Sequence, residues 1–106
     1  MRKLNLENYV NKIRTNEGFK DVEYFTKDSL IFMMFDRRLQ LAGTKLLEQN
    51  ILAEKILKAG KEIILEEAEY NKIKMAIDTF TGCGREEVEL VKRVLECQEI
   101  DIEEKK

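Results

Sequence analysis

With 106 residues and 12.5 kDa, the chain is long enough to bury one hydrophobic core and too short for two. It holds no His, no Trp, no Pro, two cysteines and one serine, Ser29, so neither a Ser-His nor a Cys-His nucleophile can be assembled within it. Nineteen Lys plus Arg against 21 Asp plus Glu leave a formal net charge of −2, which suits neither a strongly basic nucleic-acid binder nor an acidic mimic of DNA.

The first third reads as a β-hairpin. Tyr9, Asn11 and Ile13 alternate with Val10, Lys12 and Arg14; Asn16-Glu17-Gly18 supplies turn chemistry; Val22, Tyr24 and Thr26 alternate with Glu23 and Phe25. Asp28 then stands as the expected N-cap of a helix from Ser29 to Phe35. That helix is apolar almost all round. Leu30-Ile31-Phe32-Met33-Met34-Phe35 is the longest apolar run, far short of the 18 or more residues of a membrane span. A helix apolar on every side has to be covered on every side, by its own domain or by another chain. Leu30, Ile31, Phe32, Met34 and Phe35 are therefore the candidate protein interface, with homo-oligomerisation the expected outcome.

A second helix is expected from Thr44 to Ala59, with Leu47, Ile51, Leu52 and Ile56 on its buried side, Glu54 and Lys58 paired outside, and Gly60 as a left-handed C-cap. Glu62 to Leu65 is short and β-branched and reads as a buried strand. Glu66, Glu67 and Glu69 place negative charge where the dipole of a third helix favours it, and Tyr70, Ile73, Ile77 and Phe80 form that helix's core stripe. Thr81-Gly82-Cys83-Gly84 breaks the pattern. Arg85-Glu86-Glu87 opens a fourth helix with Val88, Val91 and Leu95 on one face, Leu90 and Val94 beside it, and Glu89 paired to Arg93. Glu99 to Glu103 alternates charged and apolar residues as an edge strand does, and 104–106 reads as a frayed tail. The expected fold is a single α+β domain over residues 1–103 in the order β-β-α-α-β-α-α-β.

Chemistry is sparse. Two cysteines without histidine are too few for a zinc site or a disulfide framework, and reduced thiols are expected. Glycine-rich backbone before a helix can aim N–H groups at an anion and lower a thiol pKa, which singles out Cys83. Yet one residue, Gly84, separates Cys83 from Arg85, where a phosphatase loop needs several, and the Lys and hydroxyl residue of a Walker loop are missing. The turn reading is simpler: two glycines let the chain reverse, and Cys83 fills space. The glutamate groups 66/67/69 and 86/87/89 match no calcium loop and read as dipole-favoured helix starts. Catalytic, cofactor and metal sites are thus not expected. Arg37, Arg38, Lys92 and Arg93 are the candidate nucleic-acid contacts, provided the fold gathers them into one strip.

Residues 62–103, with Ile63-Ile64-Leu65-Glu66, Glu69-Tyr70, Phe80, Gly82, Gly84-Arg85, Val88-Glu89-Leu90-Val91 and Val94-Leu95-Glu96, resemble small accessory proteins of unknown function encoded by phages and prophages. The resemblance implies an assembly factor, virion component or modulator of a host protein, acting in the host cytoplasm or the virion, and carries over no catalytic residue. The leading expectation is a non-enzymatic protein that self-associates and binds a protein partner. A nucleic-acid-associated regulator is the alternative.

Overall fold

The computed structural model describes residues 1–97 and Glu99. It shows an α+β domain in which four helices pack around one core beside two small antiparallel sheets. Strand β1 (Arg2–Asn5) pairs with β4 (Glu62–Leu65), Leu4 opposite Ile63. Strand β1 was not expected from the sequence: four residues carry little periodic signal, and the partner lies some 60 residues further on. Strands β2 (Tyr9–Thr15) and β3 (Gly18–Tyr24) form the expected hairpin, closed between Thr15 and Gly18, where Gly18 takes φ 114°.

The hairpin contributes no fully buried side chain to the core; only Tyr9 and Tyr24 pack against it. It therefore stands out as a ribbon. The molecule measures 52 × 36 × 22 Å, with a radius of gyration of 15.1 Å, against about 13 Å for a closely packed chain of this length.

Helix α1 spans Thr26–Met34 and begins earlier than Asp28 would have it. Phe25 occupies the N-cap position, the Thr26 N–H is taken by Asn8 Oδ1 at 3.0 Å, and Thr26 Oγ1 donates to the Glu7 carbonyl at 2.8 Å. The cap comes from a residue 18 positions away, so no local motif announces it. At the other end, buried Gln49 donates to the Met34 carbonyl at 2.8 Å.

Helix α2 (Thr44–Lys58) buries Gln49, Leu52, Ala53 and Ile56. The expected face was partly wrong. Leu47 and Ile51 point outward and are exposed, because Gln49 is the polar residue the core needs at the end of α1. Ala59 caps the helix in extended conformation, so Gly60 is not a left-handed cap. Among the described residues Glu54 and Lys58 form no ion pair; Lys55 instead reaches Glu69 on the next helix at 2.9 Å.

Helix α3 (Glu67–Thr79) buries Tyr70, Ile73, Ala76 and Ile77, as its periodicity predicts, with Phe80 half-buried just beyond its end. Glu69 accepts the Glu66 N–H at 2.9 Å. A 3₁₀ turn at Arg85–Glu87 leads into α4 (Val88–Leu95). Here Leu90 and Val94 are buried and Val88 and Leu95 exposed, so the core takes the stripe the sequence places beside the main one; Glu89 and Arg93 pair at 2.9 Å. The expected strand 99–103 and the tail 104–106 lie outside the described residues except for Glu99, which bridges Arg2.

Candidate functional site

The apolar run 30–35 is divided by the fold. Leu30, Met33 and Met34 are buried in the core, and Ile31 and Phe35 pack partly against it. Phe32 remains 70% exposed. Of the five expected interface residues, Leu30 and Met34 are thus committed to the domain itself, because they sit on the α1 face turned to α2 and α3.

Phe32 does not stand alone. An open groove of about 430 Å³ runs between the start of α1 and the segment joining α3 to α4, lined by Phe25, Asp28 and Phe32 on one side and Phe80, Gly82 and Glu87 on the other. Phe25 is 54% exposed, and the Phe32 ring meets Phe80 edge-on at 5.9 Å between centroids. Gly82 lies close against Phe80: a Cβ there would stand 2.8 Å from the tip of the Phe80 ring, which would have to shift. Neither Gly82 nor Gly84 has positive φ, so this packing, and not a tight reversal, explains the glycine at 82.

Tyr24 forms part of the same wall. It stacks on Tyr9 at 4.7 Å. Its hydroxyl is buried beside Ser29 and Glu87 without a well-formed hydrogen bond to either, and burial pushes its pKa well above the ordinary phenol value.

The four candidate nucleic-acid residues do not converge. Arg38 is held by Asp36 through two contacts of 2.8 and 2.9 Å, donates to Thr81 Oγ1 and lies 5.7 Å from the Phe80 ring centroid. Those hydrogen bonds, from the Arg38 side chain first and its backbone N–H second, lower the Asp36 pKa to about 2. Arg93 turns the other way, with its guanidinium 5.0 Å from the Tyr9 ring and bonded to Glu89 and to the Glu7 carbonyl. Lys92 lines a shallow depression with Cys83, Val88 and Leu95, and Arg37 is exposed on the 3₁₀ turn after α1. A different set of charges is brought together instead: Arg14, Arg85 and Lys12 line one groove with Glu86, beside exposed Phe19. The sequence could not single it out, since 71 positions separate the two arginines.

Cys83 is exposed on the segment joining α3 to α4, and Cys97 is buried. Partial covering of the Cys83 thiol, then the nearby Glu87, raises its pKa. Buried Cys97 donates to the Lys3 carbonyl at 3.0 Å, and burial raises its pKa as well. Four of the six glutamates in the two clusters serve the fold: Glu67 pairs with Arg2, Glu69 with Lys55 and Glu89 with Arg93, and Glu87 accepts the Gly84 N–H. Among the described residues no three Cys, Asp or Glu side chains gather to hold a metal ion, and no helix is long and apolar enough to cross a membrane. No protein family matches this chain, and neither does any curated protein or solved structure.

Proposed function

We propose that the chain is a non-enzymatic interaction protein that binds another protein chain, a second copy or a different partner, through the aromatic groove at α1. One observation carries the reading. Phe25 and Phe32, large apolar side chains at 54% and 70% exposure, share a concave surface with Phe80. Exposed aromatic groups clustered in a concavity gain most from burial by a partner, about 25 cal/mol per Å² of apolar surface removed from water. An accessory role in a phage-derived system, in host cytoplasm or virion, is part of the same proposal.

Photo-crosslinking in cells tests it, with p-benzoylphenylalanine at position 32 compared with the same group at exposed Lys58. A discrete adduct specific to position 32 is expected, and its mass distinguishes a second copy from a different chain. No adduct above the position-58 control overturns the reading.

A second reading keeps nucleic acid as the partner, now at Arg14, Arg85 and Phe19, where two guanidiniums can meet phosphates beside a ring available for base stacking. Binding to a single strand that weakens steeply with salt and is lost in Arg14→Gln/Arg85→Gln supports it; salt-insensitive or absent binding removes it.

A further inference from the structure

The aromatic groove has a charge as well as a shape. Asp28 and Glu87 are the ionisable side chains that line it besides Tyr24, and no Lys or Arg does. Asp28 makes no ion pair among the described residues, and Glu87 uses Oε1 to accept the Gly84 N–H. The groove thus presents two carboxylates and the rings of Phe25, Phe32 and Phe80 to one volume of about 430 Å³.

Three classes of side chain can be weighed as occupants. An acidic one is repelled by both carboxylates. A purely aliphatic one gains contact with the rings but strips water from Asp28 and Glu87 without replacing its hydrogen bonds, which is costly. A cation on an aliphatic stem answers both features, because ring faces attract positive charge and the stem covers apolar surface. Arginine answers them best: its flat guanidinium stacks on rings and offers five N–H donors to carboxylates. The protein already uses this pairing next door, where Arg38 lies against the Phe80 ring from outside the groove with its charge balanced by Asp36.

We propose that the groove receives an arginine side chain, flanked by apolar residues, from a protein partner. This rests on the interaction reading above and adds the chemistry of the bound segment.

The test is NMR titration of the full chain with the peptide acetyl-Gly-Leu-Arg-Leu-Gly-amide and with the same peptide carrying citrulline or Glu in place of Arg. Citrulline keeps the shape and removes the charge. Expected are saturable shifts at Phe25, Phe32, Phe80 and Gly82, weaker binding of the citrulline peptide by about fivefold, and no groove shifts with the Glu peptide. Asp28→Asn and Phe32→Ala, both at exposed positions, should each weaken the arginine peptide by about 2- to 5-fold with the amide spectrum otherwise retained. Equal binding of arginine and citrulline peptides, shifts confined to other surfaces, or no binding overturns the proposal. Groove shifts that respond to dilution of the protein alone also overturn it, since a second copy then fills the site. A position-32 adduct without arginine preference defeats this inference and leaves the interaction reading standing.

Discussion

The Tyr9 hydroxyl donates to the Glu86 carbonyl at 2.8 Å and lies 3.3 Å from the Leu90 N–H, which it accepts. Through this one phenol the projecting hairpin is tied both to the 3₁₀ turn at Arg85–Glu87 and to the first turn of α4. Because the hairpin adds nothing fully buried to the core, its orientation depends on few such contacts. Tyr9→Phe removes the hydroxyl and leaves the ring on Tyr24; the expected loss is about 1 kcal/mol. Hydrogen exchange should accelerate across 9–24 while the amides of α3 keep their protection. Uniform acceleration would show that the hairpin and core open together.

Leu30 and Phe32 are two positions apart on α1 and have opposite fates, one fully buried and one 70% exposed. Leu30→Asp places a carboxylate in the core and should cost more than about 4 kcal/mol, enough to unfold a domain of this size. Phe32→Asp loses the edge contact with Phe80 and some helix propensity, about 1–2 kcal/mol, and should leave a folded chain. Circular dichroism melts of the two variants decide the matter. A Phe32→Asp chain that unfolds like Leu30→Asp would make Phe32 a core residue.

Asp36 supplies a defined acid response. Its carboxylate is favoured in the folded state by the Arg38 side chain and N–H, so its pKa falls from the usual value near 4 to about 2. A depressed folded pKa stabilises above the unfolded pKa and is lost as pH falls through the folded one. The stability gap between wild type and Asp36→Asn should therefore be full at pH 6, shrink below about pH 4 and close near pH 2. Urea denaturation at these pH values measures it, and a gap independent of pH would mean the ion pair contributes nothing.

How much of this was legible in the chain depends on whether a signal is local. The stripe Tyr70, Ile73, Ile77 is legible because one face of α3 is apolar and the other charged. Helix α2 carries apolar residues on both sides, Leu52 and Ile56 inward and Leu47 and Ile51 outward, and periodicity cannot choose between them. The Thr26 cap from Asn8 and the β1–β4 pairing are invisible for another reason: each joins distant residues. The candidate site shows the same division. Phe32 stands in a run that draws the eye, but Phe25 and Phe80 are 55 positions apart and reach one groove only through tertiary packing.

Tyr24 offers a test of the groove wall itself. Its buried hydroxyl lies beside Ser29 and Glu87 without a well-formed hydrogen bond, so the folded state bears a desolvation cost that these neighbours compensate only in part. Tyr24→Phe removes that cost while keeping the stack on Tyr9, and the expected change is between zero and about 1 kcal/mol of added stability at neutral pH. The alkaline limb supplies a second readout. Burial disfavours the ionised phenol, so the hydroxyl adds no pH dependence below its unfolded pKa, about 10, and the fold loses stability as pH rises beyond it, since the unfolded chain then releases the proton more readily. Tyr24→Phe should therefore lose stability less steeply than wild type above pH 10. A variant that is destabilised at neutral pH would show that the hydroxyl makes a hydrogen bond in solution, with Ser29 and Glu87 as its neighbours, and that the groove wall is tighter than the unpaired phenol implies.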